Sequence, residues 1–210
     1  MKKTITAMLA VFGLATFAQA EGDAARGETL SATCAACHGA DGNSADPANP
    51  KIAGQNEIYL FEQLLAFQTG ERVNAIMTGM VGSLSEQDMM DLAAFYAAQE
   101  STIGEADADL VALGERIYRG GVIDSGVPGC IACHGANGQG NAPAGFPALG
   151  GQHAQYTIAQ LEAYRNGYRA AEPAADARMT DGDTRVMRST AFNLKDFEIE
   201  AVAAYIQGLH

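Results

Sequence analysis

Apolar side chains recur along this chain with the period of an amphipathic helix. In residues 57–67, Leu60, Leu64 and Phe67 fall on one side of a helical wheel, and residues 155–165 form the corresponding segment later in the chain. Further helices are expected to begin near residues 23 and 109. The stretches between these segments are rich in Gly, Pro, Asn and Asp, and no alternating strand pattern is found, so the pattern predicts an all-α fold.

Two later segments carry the strongest helical pattern. Ser85 is followed three residues later by Asp88, which is the arrangement of a capping box at a helix N-terminus. Apolar positions then follow at i, i+3, i+4 and i+7 in both segments; they are Met89, Leu92, Ala93 and Tyr96 in one, and Ile199, Val202, Ala203 and Ile206 in the other. We expect both stripes to face a core.

The chain contains two copies of one unit. Residues 34–43 (CAACHGADGN) and 130–139 (CIACHGANGQ) share seven of ten residues at an offset of 96. The offset rises to 97 around Gly54 and to 110 near the C-terminus, so the second copy carries an insertion of about 13 residues between Gly167 and Met187. Two copies are too few for a solenoid and indicate two similar domains.

Boundaries follow from the repeat and from the composition. The segment around residues 101–109 is small and polar and lacks apolar periodicity, which is typical of a linker. We predict an N-terminal domain over residues 21–102, a linker over 103–108 and a C-terminal domain over 109–210.

The N-terminus has the pattern of a secretory signal peptide. Lys2 and Lys3 precede an apolar run, and Ala18-Gln19-Ala20 is a small-x-small cleavage site. We expect residues 1–20 to be removed on export, with an uncleaved anchor as the alternative. The net charge of −12 argues against a nucleic-acid partner and against docking on an anionic membrane surface.

All four cysteines lie in two Cys-x-x-Cys-His motifs, which are Cys34, Cys37 and His38, and Cys130, Cys133 and His134. Residues at i, i+3 and i+4 share one face of a helix, so both thiols and the imidazole can meet one porphyrin. This spacing is the attachment signature of c-type haem, and it predicts two haem c groups, each bound by two thioethers and one histidine. A tetrathiolate zinc site, two thioredoxin-like redox pairs and structural disulfides are weaker alternatives.

The candidates for the second ligand of each iron are the methionines and the spare histidines; a thioether at this position favours ferrous iron and raises the reduction potential. Met77 aligns with Met187 at the offset of 110, whereas Met80 aligns with Thr190 and Met179 has no counterpart. We predict Met77 for the first iron and Met187 for the second, with Met80 and Met179 as the alternatives.

Two prolines are candidates for orienting the ligand histidines. Pro50 follows His38 by 12 residues, Pro147 follows His134 by 13, and the prolines align at the offset of 97. A metal-bound histidine usually donates its other ring nitrogen to an acceptor, which a proline carbonyl can be; a plain turn role is the alternative. The remaining histidines are expected at a helix entry or surface and at the solvated C-terminus; they are His153 and His210.

The chain resembles the cytochrome c4 family over essentially its entire mature length, through CAACHGADGN, IAGQNEIYL, IMTGM, CIACHGANGQGN, GGQHAQY, VMRS and AAYIQGLH. The resemblance implies two tandem class I cytochrome c domains, each wrapped around one covalently attached haem, with the carbonyls of Pro50 and Pro147 on the ligand histidines. It also implies propionates near the domain interface, a periplasmic location, membrane association in some members, and electron delivery from a respiratory donor complex to a terminal oxidase.

An electron carrier, and not an enzyme, is the expected function. Both copies offer a matching methionine, no Cys lies outside the two motifs, and neither spare histidine is expected to be a ligand, which counts against a dihaem peroxidase or a thiosulfate-oxidising cytochrome. A haem subunit of a larger membrane complex would be expected to keep a transmembrane anchor.

Charge differs between the two copies and suggests one further hypothesis. Residues 21–102 carry 12 acids and 3 bases, whereas residues 103–210 carry 13 acids and 8 bases. Five of those bases lie in or beside the insertion; they are Arg165, Arg169, Arg178, Arg185 and Arg188. Some of these arginines are expected to face the second haem's propionates or a partner, with a solvated surface of scattered charge as the alternative; substitution of Arg185 and Arg188 tests this hypothesis.

Overall fold

A computed structural model describes residues 22–210, in which the regular secondary structure is helical and long loops connect the helices. The first half contains α1 (Ala24–Leu30), α2 (Ala32–His38), α3 (Glu57–Thr69), α4 (Ala75–Val81) and α5 (Glu86–Ala97). The second half contains α6 (Val111–Gly120), α7 (Ile131–His134), α8 (Ala154–Gly167), α9 (Val186–Phe192) and α10 (Asp196–Gln207). Only isolated β-bridges occur in these residues, so the predicted all-α fold is confirmed. The predicted signal peptide, residues 1–20, lies outside the described residues.

Most helices agree with the periodic pattern, and two features differ from it. The first predicted helix is divided at Ser31, whose N–H bonds to the carbonyl of Glu28 and ends α1 before α2 begins. The helices α4 and α9, which carry Met77 and Met187, were not predicted, because seven residues are too few to show a period. No helix in residues 22–210 is long and apolar enough to cross a membrane.

The last helix of each half forms its core. Met89, Leu92, Ala93 and Tyr96 on α5 are at most 3% exposed, and Ile199, Val202, Ala203 and Ile206 on α10 are at most 2% exposed, so both predicted stripes are buried. The predicted capping box also forms, since the Ser85 N–H donates to the Asp88 carboxylate at 2.9 Å and the Asp88 N–H donates to the Ser85 hydroxyl at 3.2 Å.

The first and last helices of each half cross at a glycine. A Cβ on Gly27 of α1 would lie 2.0 Å from the carbonyl oxygen of Asp91 on α5. A Cβ on Gly114 of α6 would lie 2.1 Å from the carbonyl oxygen of Ala201 on α10. Since Asp91 and Ala201 align at the offset of 110, both halves use the same backbone-to-backbone contact, which any side chain would prevent.

A buried tyrosine lies on the last helix of the first half but on the first helix of the second half. In the first half Tyr96 lies on the last helix and Ser31 ends the first helix. In the second half the counterpart of Ser31 is Tyr118 on the first helix, and the counterpart of Tyr96 is Ile206. Both tyrosines are at most 3% exposed. Each core therefore contains one such ring, which comes from the last helix in the first half and from the first helix in the second half.

The glycine crossing gives a direct test on one helix. We expect Gly114→Ala to lower the free energy of unfolding by about 1–3 kcal/mol or more, because the methyl group forces α6 away from α10. Gly120→Ala on the same helix meets no atom within 4 Å and should be neutral or stabilising by up to about 1 kcal/mol. Denaturant titration of the holoprotein measures both, and equal effects would show that the crossing is not tight.

Candidate functional site

Each Cys-x-x-Cys-His motif occupies the end of a helix. His38 is the last residue of α2 and His134 the last of α7, and the glycine after each has φ of +82°. Only glycine adopts that backbone conformation without strain, so both helices end immediately after the histidine. All four cysteines are free thiols, with Cys37 exposed and the other three half-buried.

The thiols do not resemble a reactive redox pair. Burial raises the pKa of Cys130 to about 11 and also raises the pKa of Cys34. A redox-active Cys-x-x-Cys pair needs a lowered thiol pKa, so these shifts count against the thioredoxin-like alternative. Within residues 22–210 no three His, Cys, Asp or Glu side chains converge as a metal site would need, so the tetrathiolate zinc alternative gains no support.

Both motif histidines are buried and held by a proline carbonyl. The Nδ1 atom of His38 lies 2.9 Å from the carbonyl oxygen of Pro50, and the Nδ1 atom of His134 lies 2.9 Å from that of Pro147. Because a carbonyl can only accept, Nδ1 carries the hydrogen and Nε2 presents a lone pair. Burial lowers the pKa of His134 and so favours the neutral form that binds a metal.

A short loop brings each proline back to its histidine. The carbonyl of Gly42 accepts hydrogen bonds from the N–H groups of Ile52 and Ala53, at 2.8 and 3.2 Å. In the second half the carbonyl of Gly138 accepts from Leu149 and Gly150, at 2.7 and 3.1 Å. The loop therefore closes two residues beyond the proline in each half, and the same contact fixes both proline carbonyls.

The two predicted methionines occupy matching places in the fold. Met77 lies in the first turn of α4, where its N–H bonds to the side chain of Asn74, and Met187 lies in the first turn of α9. Both are half-buried, whereas Met80 is exposed and Met179 lies in the loop before α9. Iron ligation by Met77 and Met187 stays a prediction.

Neither remaining histidine belongs to the motif helices. His153 is the N-cap residue of α8, and its Nε2 lies 2.8 Å from the carbonyl oxygen of Ser44 in the other half. His210 is exposed at the C-terminus. The helix-entry role predicted for His153 is confirmed, but its contact across the halves was not foreseen.

Two glutamines join the halves by reciprocal amide contacts. The side chain of Gln55 bonds to both backbone groups of Ala148, at 2.7 and 2.9 Å, and the side chain of Gln152 bonds to both backbone groups of Lys51, at 3.0 and 2.8 Å. Both pairs align at the offset of 97, so the contact is the same in each direction. The role of these glutamines was not predicted, because it depends on the packing of one half against the other.

Two arginines add a second reciprocal contact. Arg72 donates to Gln63, Tyr156 and Gln160 at 2.7–2.8 Å, and Arg178 donates to Gln160, Tyr59 and Gln63 at 2.6–2.9 Å. Each guanidinium also lies over an aromatic ring at an equivalent position, Phe67 for Arg72 and Tyr164 for Arg178. Neither arginine takes part in an ion pair with a described acidic side chain.

Arg178 is therefore the counterpart of Arg72, at an offset of 106. The N–H groups of the two arginines bond to Ala66 and Ala163, which align at 97, and both bonds are 2.9 Å long. The insertion is thus divided, with nine residues before Arg178 and four between Arg178 and Met187.

The other arginines of this region have local partners. Arg188 is buried and pairs with Asp181 at 2.5 Å, and the exposed Arg185 bonds to the carbonyl of Tyr168. Arg165 pairs with Asp196 at 2.6 Å, and Arg169 lies over the ring of Phe192. Among the arginines of this region, Arg178 therefore bonds to the other half, whereas the bonds of Arg185 and Arg188 are local.

The residues present fit a covalently attached haem in each half. Each motif offers two free thiols one helical turn apart and a buried imidazole whose Nε2 is available. In the first half, one motif cysteine packs against the buried core together with half-buried apolar side chains; these residues are Cys34, Leu30, Ile52, Phe61, Leu64 and Leu84. In the second half the corresponding residues are Cys130, Ile131, Leu149, Ile158 and Leu161.

Known proteins share both the fold and the motifs. The family model described as Cytochrome c matches residues 24–98 and 111–210. Cytochrome c4 of Pseudomonas aeruginosa is 47% identical over 210 residues and covers all of both chains. The crystal structure of reduced recombinant cytochrome c4 from Pseudomonas stutzeri covers 90% of this chain and 100% of its own, with a TM-score of 0.84 and 46% identity. A "thiosulfate dehydrogenase electron acceptor" of Thiomonas intermedia is 36% identical over 83% of this chain and 77% of its own.

The buried arginine gives a test of the contact between the halves. Arg178→Met removes four hydrogen bonds and takes the arginine donor from the Tyr59 hydroxyl, while Gln63 keeps only its bond from Arg72. We therefore expect a loss of about 1–3 kcal/mol in the free energy of unfolding. Arg169→Met is the matched control, because Arg169 is exposed and lies over one ring. Thermal unfolding of the two holoproteins should differ clearly, and equal midpoints would contradict this role.

Proposed function

Because the chain belongs to the cytochrome c4 family of electron-transfer proteins, we propose that it is a periplasmic dihaem carrier that delivers electrons to a respiratory terminal oxidase. The periplasmic location is supported by the signal-peptide pattern and by the pair of haem-attachment motifs. The proposed domains are residues 21–102 and 109–210.

One observation carries the proposal that there are two haem groups. In both halves a buried imidazole directly follows two free thiols, and its Nδ1 is fixed at 2.9 Å from a proline carbonyl. We assign Cys34, Cys37 and His38, with Met77, to the first haem. Cys130, Cys133 and His134, with Met187, are assigned to the second.

Bound haem supplies an iron that alternates between the ferric and ferrous states. The four cysteines would hold the two groups covalently, so neither would dissociate. Pro50 and Pro147 keep each imidazole in one orientation and one tautomer, which holds Nε2 ready as a ligand. Met77 and Met187 would supply thioether ligands, which would raise the reduction potential. The proposed role is therefore electron transfer, which needs no acid, base or nucleophile from the chain.

A second electron donor is supported by the relatives. The Thiomonas intermedia protein accepts electrons from thiosulfate dehydrogenase according to its name, and it shares most of this chain. The alternative to a respiratory donor complex is therefore a dehydrogenase of that kind, which would donate electrons to this protein. Reduction of the purified protein by thiosulfate alone would instead indicate an enzyme.

The methionine assignment can be tested one iron at a time. The ferric protein should show two equivalents of the far-red band that a thioether ligand produces. Met77→Ala and Met187→Ala should each remove one equivalent, whereas the controls Met80→Ala and Met179→Ala should keep both. Loss of a band in a control, or only one equivalent in the unchanged protein, would contradict the assignment.

The proposed oxidase can be tested through its dependence on salt. The chain has a net charge of −12, so its docking surface should attract a basic patch on its acceptor. We expect reduced protein to be oxidised by oxidase-containing membranes at a rate that falls steeply as ionic strength rises. The same membranes with a terminal-oxidase inhibitor are the control. Oxidation that persists with the inhibitor would contradict delivery to an oxidase.

A further inference from the structure

We propose that each half adjusts the ligand histidine of the other half through the reciprocal glutamine contacts. Gln152 in the second half acts on His38, and Gln55 in the first half acts on His134. Both are positioning residues, since neither is proposed to touch the iron. The inference deepens the proposed function, because it requires both histidines to be iron ligands.

In the first half a single peptide group connects the glutamine to the histidine. The carbonyl of Pro50 accepts the hydrogen bond from His38, and the N–H of the same peptide group belongs to Lys51. That N–H donates to the Oε1 atom of Gln152 at 3.0 Å. Only the peptide bond between residues 50 and 51 therefore separates the glutamine contact from the histidine contact.

The second half has the same arrangement in the opposite direction. The carbonyl of Pro147 accepts from His134, and the N–H of Ala148 in the same peptide group donates to the Oε1 atom of Gln55 at 2.7 Å. The contact thus crosses the interface twice, once towards each histidine.

A peptide group transmits polarisation between its two ends. When its N–H donates a hydrogen bond, electron density moves towards its carbonyl oxygen, which then accepts more strongly; such cooperativity strengthens a bond by roughly 10–30%. A stronger acceptor on Nδ1 gives the imidazole more anionic character and makes Nε2 a better donor to iron. The ferric state gains most from this donation, so the glutamine contact lowers the reduction potential of the haem in the opposite half.

Each glutamine is held so that its oxygen faces this N–H. The Oε1 atom of Gln55 also accepts the N–H of Asn56 at 2.9 Å, and the Oε1 atom of Gln152 accepts the N–H of His153 at 3.0 Å. The amide nitrogens donate to the carbonyls of Ala148 and Lys51, which fixes both amide planes.

The two directions differ in burial and in length. Gln55 is 8% exposed, whereas Gln152 is half-buried. The bond that Gln55 accepts is also the shorter, at 2.7 Å against 3.0 Å. Water can replace a lost bond more easily at Gln152, so the effect on the second haem should be the larger.

The test uses four variants of the holoprotein. Gln152→Met and Gln55→Met keep the length of the side chain but remove its hydrogen bonds. Gln63→Met is the matched control, because Gln63 also lies at the interface but bonds to arginines and to neither proline peptide. Gln55→Glu keeps an acceptor for Ala148 and serves as the conservative variant.

The measurements are a redox titration resolved by haem and the NMR shift of each histidine Nδ1–H in the ferrous state. We expect Gln152→Met to favour reduction of the first haem, and Gln55→Met to favour reduction of the second, each by roughly 2- to 10-fold in the equilibrium constant. The Nδ1–H signal of the same histidine should move upfield, as for a weaker hydrogen bond. Gln55→Glu should bring the Nδ1–H signal of His134 back, and Gln63→Met should move neither histidine signal.

Three results would overturn the inference. They are unchanged potentials, equal shifts of both haems, or a shift of the haem in the same half as the substituted glutamine. Equal shifts would mean that the interface had only loosened. Failure of the proposed function has a different signature, namely the loss or absence of a far-red band in the unchanged protein.

Discussion

A buried imidazole must place its Nδ1 hydrogen on an acceptor, and the loop after the motif in each half is arranged to meet that need. The acceptor is a proline carbonyl, which lies 12 residues away in one half and 13 in the other. The loop between histidine and proline is closed by a glycine carbonyl, that of Gly42 or Gly138, which accepts two N–H groups from residues just beyond the proline. Ending the motif helix requires the glycine directly after the histidine. Sequence positions that look like ordinary turns are thereby tied to the orientation of one ring.

The same loops also build the interface. The residue after each proline offers its N–H and carbonyl to a glutamine of the other half, so the segment that orients a histidine is also a segment that joins the halves. Arg72 and Arg178 repeat this reciprocity a short distance away. Both arginines combine a ring contact with hydrogen bonds to glutamines and a tyrosine, which stabilises a guanidinium away from water. Ligand geometry and domain packing are therefore not independent in this protein.

Sequence reasoning recovered the parts that depend on local order. The stripes of α5 and α10, the capping box at Ser85 and the repeat itself are periodic or adjacent in the chain, and these predictions are confirmed. It missed α4 and α9, which are too short to show a period, and the break at Ser31. It also missed the equivalence of Arg72 and Arg178, because the insertion changes the offset twice and only the contacts with Ala66 and Ala163 reveal the register. Contacts across the halves depend on tertiary packing, which no single segment encodes.

The reciprocal glutamine contacts have a consequence for how such a chain can arise. Each half presents the donor and acceptor groups that the other half needs, at aligned positions, which is the property of an isologous surface in a symmetric homodimer. A single ancestral unit with this surface would associate with its own copy only above a threshold concentration. Joining two units through a short linker makes that association intramolecular and independent of dilution. Duplication also allows the two copies to diverge, as shown by the different positions of the buried tyrosine and by the insertion in the second copy. Two centres that were originally equivalent can thereby acquire different properties.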